Sequence, residues 1–147
     1  MLINNLRSFA LILPHIKDEC CENGFAACVD PAINKDDFII IKVDEYYNSL
    51  SIKRPPSPDC LIIIRCSQGD FNIYIVELRD IASSEGFEIE KIREKFLTCL
   101  NDFMMGVLSQ FFLNTTHVLK KPRLFLLQIH IMKPKEALEI DLIGQQS

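Results

Sequence analysis

Three charged residues near the ends of two predicted strands are the part of this sequence best suited to chemistry. Asp59 opens an apolar run that extends to Cys66, and Glu77 and Arg79 come late in a second apolar run that begins at Phe71. A polar turn separates the runs and contains the Gly and Asp that tight hairpin connections favour. Because side chains alternate along a strand, Glu77 and Arg79 share one face. Two charges in an otherwise apolar row need a partner, a metal or water.

This spacing resembles the PD-(D/E)xK nuclease superfamily, whose fold is called restriction-endonuclease-like. Pro58-Asp59 matches the Pro-Asp that opens one strand of that motif. Glu77-Leu78-Arg79 matches the Asp/Glu-x-Lys triplet late in the next strand, with Arg in place of Lys. The resemblance covers about Lys42 to Met105, a little under half of the chain. It implies a metal-dependent DNA endonuclease, which is a deoxyribonuclease, or a degenerate relative on the same scaffold.

The resemblance also implies a metal site. Asp59 and Glu77 would bind Mg²⁺ or Mn²⁺, together with the backbone carbonyl of Leu78, and waters would complete the octahedron that Mg²⁺ prefers. Such a metal acidifies a bound water and neutralises the charge that develops on a phosphate. An acidic residue further upstream often joins these sites, and Glu45 and Asp44 are the candidates. The alternative for Asp59 is a residue that caps the turn after the preceding proline.

Arg79 is the departure from the motif. The family's Lys orients the attacking water and stabilises charge. Arg binds phosphate, often bidentately, but it stays protonated and cannot act as a general base. If metal alone activates the water, Arg79 is compatible with cleavage, whereas a proton path through this residue would leave the site inactive. The alternative is a structural ion pair of Arg79 with Glu77 or Asp59.

Basic residues flank the proposed site along the sequence and are candidates for phosphate contacts. Lys53 and Arg54 precede it, and Lys120 and Lys121 precede the last predicted strand. Residues of this kind more often form a solvated surface. The net charge of −4 argues against a protein that coats nucleic acid non-specifically, although it allows a local basic groove. DNA is the expected partner, and a homodimer would be needed to cut both strands.

The elements expected around the motif form an α/β (α+β) domain, in which helices flank a mixed β-sheet. The expected helices are 2–13 and 88–112, and the expected strands are 38–43, 60–66, 71–79 and 123–132. The order is therefore α-β-β-β-α-β, which is the order of the PD-(D/E)xK core. Within the long helix, Ile92, Phe96, Leu100 and Phe103 form one apolar stripe that we expect to be buried.

Length and composition set further expectations. The 147 residues should form one domain, 1–147, and an apolar content of 48% argues against disorder. The longest N-terminal apolar run, Phe9 to Leu13, is too short for a signal peptide or a membrane span, so the expectation is a cytoplasmic protein without a membrane partner. The six cysteines lack metal-binding spacing, and reduced buried thiols are the favoured interpretation. The adjacent pair Cys20-Cys21 has no explanation at this level.

Two functions of different classes stay open. The placement of Asp59 and of Glu77-x-Arg79 favours a Mg²⁺-dependent endonuclease. The alternative is a non-catalytic interaction protein on the same scaffold, for example in a defence or mobile-element system. It is favoured by the net negative charge, the small size and Arg79 itself. An α/β domain of unrelated function is the third alternative, because a fold alone does not determine a function.

Overall fold

A computed structural model describes residues 2–22, 24–80, 89–113 and 123–129, with all of their side chains except those of Phe25, Arg79, Asp80 and 123–129. The strands are β1 (Ile16–Lys17), β2 (Cys20–Glu22), β3 (Phe25–Ala27), β4 (Phe38–Lys42), β5 (Cys60–Arg65), β6 (Phe71–Asp80) and β7 (Arg123–Ile129). The helices are α1 (Leu2–Arg7), α2 (Val43–Asn48), α3 (Ile89–Leu97) and α4 (Ser109–Phe112), with a π-helical segment at Thr98–Val107 and 3₁₀ turns at Leu13–His15 and Lys35–Asp37.

Five of the described strands form one mixed sheet in the order β1-β4-β5-β6-β7. The strands β4, β5 and β6 are successive antiparallel neighbours, and β1 pairs antiparallel with the outer side of β4. On the other side, β7 pairs parallel with β6. A parallel pair requires a crossover connection, and the chain between β6 and β7 contains α3, the π-helical segment and α4. The architecture is therefore α+β.

The hairpin between β5 and β6 has the turn that its sequence predicts. Cys66 N–H donates to the carbonyl of Asp70, and Gly69 N–H donates to the carbonyl of Cys66. Gly69 has a φ of 87°, a left-handed backbone conformation that residues with a Cβ rarely adopt. This turn sets the register of the two strands, in which Cys60 lies opposite Val76.

Apolar side chains cover both faces of the sheet, which explains why β5 is an unbroken apolar run. On one face, Leu61 and Ile63 pack with residues from α1, α3 and the π-helical segment. On the other face, Ile62 and Ile64 pack in a second cluster that includes Ala27 of the short hairpin β2–β3. The sheet is thus a central layer between a helical layer and a small β-hairpin.

The long helix that the sequence predicts is interrupted in its middle. It begins as α3, continues as the π-helical segment and ends with α4, while residue 88 lies outside the described part. Ile92, Phe96 and Phe103 are buried as predicted, and Leu100 is partly buried against the same cluster. A π-helix turns less per residue than an α-helix, so the buried face also takes in Met104.

The first helix is shorter than its periodicity predicts. It ends at Arg7 rather than at residue 13, and Leu11 and Leu13 are exposed. The guanidinium of Arg7 donates to the carbonyls of Lys35 and Phe38, which fixes the end of this helix at the start of β4. Apolar periodicity alone could not reveal these hydrogen bonds.

The expectation of reduced cysteines is wrong for one pair. A disulfide joins Cys20 of β2 to Cys60 of β5, with their Cα atoms 6.1 Å apart. The two residues are 40 positions apart in sequence, and only the packing of the hairpin β2–β3 on the sheet brings them together. Cys66 and Cys99 are buried thiols, as predicted.

Candidate functional site

Asp59 lies immediately before β5, and the structure uses its side chain to join two strands. The residue is only 5% exposed, and its Oδ2 accepts a hydrogen bond of 2.7 Å from the backbone N–H of Leu78 in β6. Its carbonyl accepts from the N–H of Val43, the first residue of α2. The carboxylate therefore binds the neighbouring strand of the sheet, which differs from the alternative of a residue that caps its own turn.

Glu77 meets Asp59 inside the protein. Because β5 and β6 are antiparallel with Cys60 opposite Val76, Asp59 and Glu77 stand at the same level of the sheet. Glu77 is 2% exposed, and it lies close enough to Asp59 to act on the pKa of that carboxyl. Burial, and then the charge of Glu77, raise the pKa of Asp59 to about 7.

A lysine from the following helix completes this buried pair. The Nζ atom of Lys95 in α3 lies 2.7 Å from Oε2 of Glu77, a carboxylate whose side chain is 3% exposed. We did not predict this contact from the sequence. A signal was available, because Lys95 lies three residues after the buried Ile92 and four before the buried Cys99. A lysine at such a position borders the apolar stripe instead of the solvated face.

Arg79 is placed only through its backbone. It lies two residues after Glu77 in β6, opposite Gln128 of β7, and its side chain is outside the described part of the structure. Its predicted roles at the site, as a phosphate ligand or as an ion-pair partner, stay predictions. The cation observed against Glu77 is Lys95.

Asp59 also belongs to a second group of carboxylates. Oxygen atoms of Glu22, Asp44 and Asp59 all lie within 4.8 Å of one another. Glu22 is the last residue of β2, and Asp44 is in the first turn of α2. Burial raises the pKa of Asp44 to about 6, although the charge of Lys42 opposes this rise. Of the two upstream acidic candidates, Asp44 is therefore the one that lies near Asp59, and its role as a metal ligand stays a prediction.

Lys42 holds these carboxylates together. Its Nζ lies 3.0 Å from Oε2 of Glu22 and 3.5 Å from Oδ1 of Asp44, and it donates to the carbonyl of Cys21 at 2.8 Å. Burial alone would lower the pKa of Lys42, but its hydrogen bond to Glu22 and the charge of Asp44 raise it. The lysine thus stays protonated and contributes a fixed positive charge.

Other residues predicted for the site lie elsewhere. Oε2 of Glu45 is 3.4 Å from Lys17 Nζ and 3.8 Å from His15 Nδ1, so this carboxylate is engaged outside the cluster. Lys53 and Arg54 are exposed. The predicted phosphate contacts Lys120 and Lys121 lie outside the described residues, and the carbonyl of Leu78 stays a predicted metal ligand.

The donor set fits a hard divalent cation. The carboxylates are those of Glu22, Asp44, Asp59 and Glu77, and the ammonium groups are those of Lys42 and Lys95. The four carboxyl groups outnumber the two ammonium groups, so the set as a whole is acidic. The oxygens of Glu22, Asp44 and Asp59, which lie within 4.8 Å of one another, are of the kind that Mg²⁺ and Mn²⁺ accept as ligands. A cation at the outer carboxylates would have to share them with the ammonium group of Lys42.

No family model, no curated protein and no solved structure matches this chain. Among the described residues, none of the helices is long and apolar enough to cross a membrane. The site itself therefore supplies the evidence on function.

Proposed function

We propose that this protein is a divalent-cation-dependent DNA endonuclease of the PD-(D/E)xK type. The observation that carries the proposal is the meeting of the Asp59 and Glu77 carboxyls with the ammonium of Lys95. The strand order supports it, because three antiparallel strands are followed by a helical crossover and a parallel strand. This is compatible with the α-β-β-β-α-β order that the resemblance implies, although β1, β2, β3 and α2 are additions to that order.

Each residue of the site would have a separate task. Asp59 would hold Mg²⁺ or Mn²⁺, with Glu77 on one side and the Glu22–Asp44 carboxylates on the other. When bound, the cation would acidify water and neutralise charge on the phosphate. Lys95 would take the place that the motif gives to its Lys, because its ammonium contacts the motif carboxylate. It would orient the attacking water and stabilise negative charge. DNA would be the substrate, and two copies of the chain would cut both strands.

A nicking assay tests the proposal directly. Purified protein should nick supercoiled DNA with Mg²⁺ or Mn²⁺, and Asp59→Asn or Glu77→Gln should abolish nicking, because each removes an anchor for the cation. Glu94→Gln is a matched control, since Glu94 is an exposed carboxylate on the same helix as Lys95. Absence of nicking by a folded protein that also binds no cation would overturn the proposal.

Arg79→Lys separates two sources of the positive charge. If Lys95 supplies the ammonium group, Lys95→Met should abolish nicking and Arg79→Lys should change the rate little. A large rise in nicking with Arg79→Lys would instead assign the role to residue 79 and show that Arg weakens the site, since Lys is a compact donor whose pKa shifts readily.

A non-catalytic interaction protein is the second candidate, and a specific observation favours it. Asp59 and Glu77 are 5% and 2% exposed, and neighbouring lysines balance much of the carboxylate charge. Such a network can stabilise a scaffold without any substrate. An intact fold, no cation binding and no cleavage would favour this function, for example in a defence or mobile-element system.

A further inference from the structure

The hairpin β2–β3 depends on its attachment to the sheet, because a two-stranded hairpin is marginal by itself. Among the side chains that the structure describes, those of Cys20 and Ala27 are fully buried in the cluster that covers this face of the sheet, and the two residues are Cα partners in the hairpin. Val29, just after the hairpin, belongs to the same buried cluster. The disulfide between Cys20 and Cys60 adds a covalent link to this packing.

The disulfide is attached next to two residues of the candidate cation site. Cys60 directly follows Asp59, and Cys20 is two residues before Glu22. Since side chains alternate along β2, Cys20 and Glu22 point to the same side, toward the sheet. Cys20 bonds to Cys60, and the Glu22 carboxylate lies near that of Asp59. Strand β2 therefore contains both the cysteine of the disulfide and the candidate ligand.

The remaining contact of Glu22 is weaker than a covalent bond. Its Oε2 lies 3.0 Å from Lys42 Nζ, but the Glu22 side chain is 35% exposed. Partly solvated ion pairs contribute little and can be replaced by water. When the crosslink opens, this ion pair and the Lys42 contact to the carbonyl of Cys21 remain among the described contacts between β2 and the sheet.

We propose that Cys20 and Cys60 are positioning residues, whose disulfide holds Glu22 against Asp59 and thereby makes cation binding depend on the redox state. This proposal has two parts: a structural arm, in which the disulfide holds the hairpin in place, and a cation arm, in which it thereby controls cation binding. Only the cation arm rests on the proposed function. Opening requires a thiol reductant. Both sulfurs are buried, so the attack follows local opening of the hairpin β2–β3. A thiolate of a small dithiol then attacks one sulfur, the Cys20–Cys60 bond breaks, and the second thiol of the dithiol resolves the mixed disulfide. Two protons remain on the cysteines, and the dithiol becomes a cyclic disulfide.

The structural arm is tested without any metal. Dithiothreitol should open the bond, as alkylation and mass spectrometry would show for Cys20 and Cys60. Amide hydrogen exchange in residues 20–27 should then accelerate about tenfold or more, while exchange in β5 and β6 stays unchanged. Re-oxidation with oxidised glutathione should restore the slow exchange. Unchanged exchange in the hairpin with the bond fully open would overturn the proposal.

The cation arm uses Mn²⁺ as the probe, followed by electron paramagnetic resonance. The oxidised protein should bind Mn²⁺ about tenfold more tightly than the reduced protein, the size of effect expected when a ligand loses its support. In Glu22→Gln, binding should be weak in both states, because the disulfide acts through Glu22. The double variant Cys20→Ala/Cys60→Ala should behave like reduced protein, and Cys21→Ser, an exposed thiol on the same strand, should behave like wild type.

The two experiments distinguish the redox proposal from the proposed nuclease function. If Mn²⁺ binds neither state but reduction frees the hairpin, the disulfide holds Glu22 as proposed and the nuclease function is the part that fails. If Mn²⁺ binds both states of wild type equally tightly, the redox dependence is refuted while the proposed cation site survives.

Discussion

Asp59 stands between two clusters of lysine and carboxylate that differ in burial. In the inner cluster, Glu77 and Lys95 are 2.7 Å apart, with side chains 3% and 24% exposed. In the outer cluster, Lys42 reaches Glu22 and Asp44 at 3.0 and 3.5 Å, and those carboxylate side chains are 35% and 24% exposed. The inner pair thus has a nearly dry carboxylate, whereas the outer carboxylates keep contact with water.

The difference also lies in the elements that support each cluster. Glu77 belongs to β6, inside the sheet, and Lys95 belongs to a helix packed on the main core. Glu22 belongs to a three-residue strand that is tied to the sheet by the disulfide. The inner cluster should therefore stay fixed and contribute to stability, while the outer cluster can exchange its lysine for another cation. This comparison predicts different responses when each lysine is removed.

Lys95→Met should have the largest effect. It leaves the Glu77 carboxylate buried without a counter-charge, and breaking a buried pair in this way costs about 3 kcal/mol of unfolding free energy. Urea denaturation at pH 8 measures the loss. The double variant Lys95→Met/Glu77→Gln should be more stable than Lys95→Met alone, because it no longer buries an uncompensated charge. Arg93→Met, at an exposed cation on the same helix, should change stability by less than about 0.5 kcal/mol.

The contrary result would be informative. If Lys95→Met and Arg93→Met cost equally little, the Glu77 carboxylate would have to be solvated in the folded state, and the inner cluster would resemble the outer one.

The pH dependence of stability should be the next largest effect. Burial raises the pKa of Asp59 to about 7 and that of Asp44 to about 6, so between pH 4 and pH 7 the folded protein binds more protons than the unfolded chain. Stability without divalent cations should therefore fall as pH rises through this window, by about 3 kcal/mol for Asp59. Denaturation in EDTA at a series of pH values measures it.

Two variants locate the source of this slope. Asp59→Asn should remove most of it, because the amide does not titrate, whereas Asp18→Asn, at an exposed carboxylate, should leave it unchanged. Stability that rises from pH 4 to pH 7 in wild type would contradict the raised pKa values. Added Mg²⁺ should flatten the decline if the ionised carboxylates bind it.

The sequence reveals the part of the site that follows from one hairpin. The two apolar runs and the Gly69 turn determine the register, and the register brings Asp59 level with Glu77. Local rules are sufficient there, because strand alternation and turn geometry act over a few residues. Both carboxylates could therefore be placed from the sequence.

The rest of the site depends on contacts between distant segments. Lys95 contacts Glu77 only because α3 packs on the sheet in one rotation about its own axis, which the sequence does not determine. The π-helical segment then changes which residues face the sheet further along the helix. Glu22 lies on a three-residue strand, which is too short to show a periodic pattern. The sequence also does not identify the disulfide partner of Cys20, because cysteine spacing alone does not determine pairing.

Lys42→Met should have the smallest effect on stability and the opposite effect on cation binding. The outer ion pairs are partly solvated, so their loss should cost about 1 kcal/mol or less. The same change removes an ammonium that occupies the Glu22 and Asp44 oxygens, so Mn²⁺ should bind about tenfold more tightly, as expected when a competing charge leaves. Lys17→Met is the matched control, because Lys17 pairs with Glu45 outside the cluster. Weaker Mn²⁺ binding in Lys42→Met would mean that the lysine organises the carboxylates instead of competing for them, and the contrast between a fixed inner cluster and an exchangeable outer cluster would then be wrong.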